Sequence, residues 1–206
     1  MAGEVDICYN NPMQSQKGFT LVELLVTISI FVILTGIVLF NQGKFNGSIL
    51  LTNLAYDTAL TIRQAQTYGV NVKEFNGSGN FVPYGVAFDM SFPKSFILFA
   101  DLASDGIYYT NSNPACLSSY SSPGTDGCVS RYTIKNGNYI KDLCVDGTCG
   151  LAKLYITFVR PNPDAKIIAG PVRPTNNLAK IVLGNPDGST RTVEVQSNGL
   201  IQIDNQ

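Results

Sequence analysis

A single stretch limits what this chain can fold into. From Phe19 to Phe40 the sequence reads FTLVELLVTISIFVILTGIVLF, 22 residues with one charge, Glu23. As a helix it is about 33 Å long, enough to cross the hydrocarbon core of a bilayer. No proline occurs between Pro12 and Pro83, so a helix begun at Phe19 can run through the span and on into water. A secretory signal predicts a shorter apolar core closed by a small-residue cleavage site, and this run fits neither feature. With Lys17 before the span and Lys44 after it, the charge bias that orients membrane helices is weak.

An ionised carboxylate inside such a span costs on the order of 2.5 to 3.5 kcal/mol. Glu23 therefore either has a partner or sits near enough to the helix end to reach the interface. Its flank, Lys17-Gly18-Phe19-Thr20-Leu21-Val22-Glu23, resembles the processing site of type IV pilins and pseudopilins. The resemblance implies a leader of residues 1–18, cut between Gly18 and Phe19 by a prepilin peptidase that then N-methylates Phe19. It also implies that Glu23 pairs with the terminal amine of a neighbouring subunit in a filament. The chain would then be a single-pass protein of the bacterial cytoplasmic membrane with its head outside the cytoplasm, found after assembly in a periplasmic or extracellular filament.

The rest divides by period. Residues 19–40 are the span and 41–72 an amphipathic continuation of the same helix. In that continuation Leu51, Leu54, Ala55, Thr58, Ile62 and Ala65 recur at three- and four-residue spacing, with Asn53, Asp57, Arg63 and Gln64 on the other side. Gly36 and Asn41-Gln42-Gly43 are weak points where bending or local melting is expected. After Phe75 the period becomes two. Strands are predicted over 81–89, 95–100, 131–135, 138–143, 154–159, 178–183, 190–196 and 200–203. Asp105-Gly106 turns the chain into Ile107-Tyr108-Tyr109, and Asn136-Gly137 is the best short hairpin signal. The prediction is an α+β fold: a long helix packed on one mostly antiparallel β head, residues 73–206.

Five cysteines are present, Cys8 of them in the leader. Cys116, Cys128, Cys144 and Cys149 beyond the span fit two disulfides, free thiols or a zinc site. The sequence-local pairing, Cys116 with Cys128 and Cys144 with Cys149, is the one expected, because each pair brackets a turn-rich loop. There is no histidine, which removes imidazole-based catalysis. Asp101 and Asp105 are carboxylates four apart beside a glycine, read as turn chemistry in preference to a calcium site. Asn46-Gly47-Ser48 and Asn76-Gly77-Ser78 fit a glycosylation sequon and also read as Asn-Gly turns. No cofactor, metal or enzymatic activity is expected. The leader carries Glu4, Asp6 and Lys17, so the remainder is net neutral, and its basic residues are scattered. Both points argue against nucleic acid as a partner.

Beyond the N-terminal motif, five stretches resemble the GspH/FimT group of minor pseudopilins: Ile62 to Val70, Tyr84 to Phe88, Asp105 to Tyr108, Ile156 to Phe158, and Arg191 to Val195 with Asn198 to Ile201. That resemblance implies a small β-sandwich head and a low-copy subunit of a type IV pilus or type II secretion pseudopilus. The group's DNA-uptake members carry arginines around the last glycine turn, where this chain has Asn198-Gly199-Leu200-Ile201-Gln202-Ile203-Asp204. A membrane-anchored binding or enzymatic head on a pilin-like anchor is the alternative from another class.

Overall fold

The computed structural model describes residues 18–71, 73–75, 81–109, 116, 126–170 and 176–204. Cys8, Lys17 and the other residues before Gly18, together with Asn76-Gly77-Ser78, lie outside the described residues. One helix, α1 (Leu21–Val70), precedes nine strands: β1 (Tyr84–Asp89), β2 (Ser95–Ala100), β3 (Gly127–Thr133), β4 (Tyr139–Val145), β5 (Lys153–Phe158), β6 (Ala165–Ala169), β7 (Leu178–Gly184), β8 (Thr190–Gln196) and β9 (Ile201–Asp204). The chain divides into two compact units, 1–43 and 44–206.

In the first unit, Leu21–Leu39 has a mean hydropathy of 2.6 and none of it is buried. Its hydroxyls are absorbed by the helix itself: Thr27, Ser29 and Thr35 donate to the carbonyls of Leu24, Leu25 and Phe31 at 2.9, 2.8 and 2.7 Å. This satisfies them without water or a neighbour. The helix is unbroken through Gly36 and Asn41–Gly43, so the melting expected there is not found. A helical glycine costs about 1 kcal/mol, whereas ending and re-nucleating a helix fixes several residues for one hydrogen bond.

In the second unit the six predicted stripe positions, Leu51, Leu54, Ala55, Thr58, Ile62 and Ala65, are all buried. All but Thr58 share one core with two antiparallel sheets, ordered β3-β2-β1-β5-β6 and β4-β7-β8-β9. Val86, Phe88, Leu98, Ile156 and Ile167 come from the first sheet, and Ile181, Leu183, Val193 and Val195 from the second. The first sheet is also apolar outside, where Ala87, Phe99, Tyr155 and Ile168 are covered by Ile107 and Tyr108. Burial on both faces explains why Ser95–Ala100 shows almost no alternation. The second sheet keeps a polar outer face, on which Glu194 pairs with Lys180 and accepts from Gln202 Nε2 at 2.7 Å.

Two expectations need correction. Asn136 and Gly137 do form a tight turn, with φ of 60° and 77°, but it joins β3 of one sheet to β4 of the other. Both arms are held instead by the β1–β2 connection: Ile134 N–H donates to Lys94 O at 2.9 Å and Ile140 N–H to Pro93 O at 2.8 Å. Ile107 and Tyr108, into which the Asp105-Gly106 turn leads, serve as the cover just described. Asn46-Gly47 lies inside α1. A side chain at Gly47 would put its Cβ 2.6 Å from Asp187 Oδ2, so the glycine there serves close approach rather than a turn. Ala165–Ala169, paired with β5 after the proline loop, was not foreseen.

Candidate functional site

The start of α1 is where the sequence concentrates chemistry. Gly18, Phe19 and Thr20 are non-helical and exposed, and the helix opens at Leu21. Thr20 is its N-cap: its Oγ1 accepts from Glu23 N–H at 3.2 Å, and its carbonyl accepts from Leu24 N–H at 3.1 Å. Thr20-x-x-Glu23 thus has the spacing of a capping box, with an acidic residue in the positive first turn. Reading Glu23 as a charge seeking a partner or the interface missed this cap, although the Thr-x-x-Glu spacing was there to be seen. Among the described residues no cation pairs with the Glu23 carboxylate. An anion sits at the head of a helix whose next four turns are apolar on every side, with Phe19 82 % and Leu21 79 % exposed.

The other candidates are structural. Cys116 is bonded to Cys128 and Cys144 to Cys149. Asp142 lies with Cys144 and Cys149 in a group whose potential ligand atoms are within 4.8 Å of one another. Both sulfurs are in the disulfide, so neither offers the thiolate a metal requires. Asp142 Oδ1 instead accepts from Leu143 N–H at 2.8 Å and Gly150 N–H at 2.9 Å, tying down the small turn.

Asp101 does what a turn carboxylate does: Oδ1 accepts from Asp105 N–H at 3.2 Å and Oδ2 from Gly106 N–H at 2.7 Å. A second carboxylate, Asp126, was not anticipated. Its oxygens accept from Leu102 N–H at 2.9 Å and Tyr109 N–H at 2.8 Å, so the 102–109 loop is wrapped on two buried acids. Burial raises both above the ordinary range, Asp126 to about 6, against the pull of those N–H groups. Gln66 was also overlooked: from α1 its Nε2 donates to Pro163 O at 2.9 Å and Gly199 O at 3.0 Å, joining two loops far apart in sequence.

Several basic residues are engaged one by one. Lys153 meets Asp89 at 3.3 Å, Lys166 donates to Asp105 O at 2.9 Å, and Arg160 lies 5.7 Å from the centre of the Phe81 ring.

Residues 13–39 match the family model described as the prokaryotic N-terminal methylation motif. The match supports a type IV pilin-like family. No curated protein and no solved structure matches the chain. The pilin-like match covers the segment just described and stops where the apolar helix stops, before the head begins.

Proposed function

We propose that the chain is the precursor of a structural, GspH/FimT-like minor pilin or pseudopilin. Residues 1–18 are the leader, 19–40 the helix for membrane and filament core, 41–72 its amphipathic continuation and 73–206 the head. A prepilin peptidase cuts after Gly18 and methylates Phe19. The head then lies outside the cytoplasm, and the subunit assembles with other pilins or pseudopilins through α1. The observation that carries this reading is the carboxylate of Glu23, which no cation pairs with among the described residues, in the first turn of a bare apolar helix. A new ammonium on Phe19 of an adjacent subunit is the complementary charge, and in a medium of low dielectric an orphaned carboxylate is costly.

Such a role requires no catalytic group. DNA uptake is disfavoured by the turn from β8 to β9, Asn198 to Asp204, which carries no basic residue.

The test is to co-express the full chain with an active prepilin peptidase. Sequencing should begin at Phe19-Thr20-Leu21, with the terminal residue one methyl group heavier than phenylalanine. In the native host, Glu23→Ala should insert in the membrane and keep its head's melting temperature yet be absent from sheared filaments. An uncut leader would end the reading. Normal incorporation of the variant would remove the role given to Glu23.

A further inference from the structure

The turn that follows β4 gathers three groups of metal-ligating type, Asp142, Cys144 and Cys149, with their potential ligand atoms within 4.8 Å of one another. While Cys144 and Cys149 are bonded to each other, neither sulfur serves a metal. The backbone that brings them together is held by other means. Val145 N–H donates to Thr148 O at 2.8 Å and Thr148 N–H to Val145 O at 2.9 Å, around Asp146 and Gly147 with φ of 47° and 87°. The Asp146 carboxylate accepts from Leu178 N–H at 2.9 Å and Asn177 N–H at 3.1 Å, which pins the turn to the start of β7. Leu151 N–H returns to Leu143 O at 3.2 Å. None of these bonds involves a sulfur, and between them they fix the Cys144 and Cys149 backbones, whose Cα atoms are 4.0 Å apart.

The third ligand is preset as well. Asp142 Oδ1 is fixed by the N–H groups of Leu143 and Gly150, while Oδ2 has no hydrogen-bond partner among the described residues. An outer shell of this kind orients a metal-binding carboxylate. Cys144 is only 4 % exposed whereas Cys149 is exposed, so the cluster has protein on one side and water on the other. The second disulfide has no such set around it. Asp126 lies two residues from Cys128, but both of its oxygens are engaged by backbone N–H groups.

Two thiolates and a carboxylate oxygen suit a thiophilic divalent cation, zinc above all, and suit calcium or magnesium poorly, because those are bound through oxygens alone. In a tetrahedral site with zinc about 2.3 Å from each sulfur, the two sulfurs stand about 3.8 Å apart, within the span of this cluster. We propose that Asp142, Cys144 and Cys149 form a redox-gated zinc site, closed as the disulfide and open to one zinc ion, with water as the fourth ligand, when the cysteines are reduced. A dithiol reductant attacks the exposed Cys149 sulfur, and Cys144 leaves as a thiolate that takes up a proton. The reductant's second thiol then releases Cys149, so the reductant ends as a disulfide and this chain as a dithiol. Zinc takes both sulfurs as thiolates, and two protons are released. Disulfide and metal are thus alternative cross-links of one turn, whatever α1 assembles with.

The test uses the full chain in detergent micelles, reduced with a water-soluble phosphine, which takes up the oxygen of one water per disulfide and becomes its oxide. Cobalt(II) is the probe and zinc the competitor. The reduced chain should show thiolate-to-cobalt charge transfer and the visible bands of tetrahedral cobalt, saturating at one equivalent and lost on adding zinc, and the unreduced chain should show neither. Cys149→Ser should abolish the charge-transfer band. Asp142→Asn should keep it but weaken cobalt binding about tenfold to hundredfold. Zinc should also raise the melting temperature of the reduced head, as binding to the folded form alone requires. The site is overturned if the reduced chain shows no cobalt–thiolate band, if Cys149→Ser retains it, or if Asp142→Asn binds as tightly as the wild type. It is equally overturned by an affinity that is the same in urea, which any two nearby cysteines would give, or by a melting temperature that zinc leaves unchanged.

Discussion

The two halves of α1 are one helix in backbone and two kinds of surface. From Leu21 to Leu39 nothing is buried, whereas from Leu51 to Ala65 a stripe at three- and four-residue spacing is almost wholly covered. Both halves are rich in apolar residues. What separates them is the distribution: the second half sets Asn53, Arg63 and Gln64 outward and so has a face to turn inward, while the first half has no polar face at all. Hydrophobic content shows that a segment leaves water. Its period shows whether the same chain can supply the cover.

One substitution made in both places gives the sharpest contrast. Ile62→Asp puts an unpaired charge at a position with no exposure and should abolish cooperative unfolding of the head, read by circular dichroism on heating. Leu25→Asp should leave that transition where it is and instead lower the fraction of chain inserted in membranes, by roughly 2.5 to 3.5 kcal/mol. Comparable loss of head stability from both would break the distinction. A smaller effect is expected from Gln66→Ala, which removes the two bonds to Pro163 and Gly199. Roughly 1 to 3 kcal/mol of head stability should go, seen as a lower denaturant midpoint at unchanged slope.

A further effect concerns pH and only the second half's unit. Asp126 titrates near 6 when folded, above its ordinary value of 3.8. A raised carboxylate binds its proton more tightly in the folded state. Its contribution is therefore fully present below about 3.8 and lost as pH rises through about 6. The melting temperature of the wild type relative to Asp126→Asn should fall between pH 4 and 7, and a difference that rises or stays flat would refute this sign.

The sequence made the helix, the buried stripe and most strands legible because each rests on a local period. Partnership between strands does not. Asn136-Gly137 has the turn chemistry of a hairpin, and only the packing around Pro93 and Lys94 sends its two arms into different sheets. Ala165–Ala169 is too short and too close to two prolines to announce itself, and it is fixed by β5 alongside. The site divides in the same way. Gly18 to Glu23 is a contiguous motif and could be read directly. Asp126 and Gln66 matter through partners distant in sequence, and no spacing rule reaches them.

The hydroxyls of Thr27, Ser29 and Thr35, each turned back on a carbonyl of its own helix, have a consequence for association. Polar side chains that cross between helices set their mutual rotation in a bilayer, and here those side chains are already spoken for. The span from Leu21 to Leu39 therefore offers every azimuth on nearly equal terms. A neighbour that must be met at one angle has to take its bearing from elsewhere along the chain, from the acid at one end or from the head at the other.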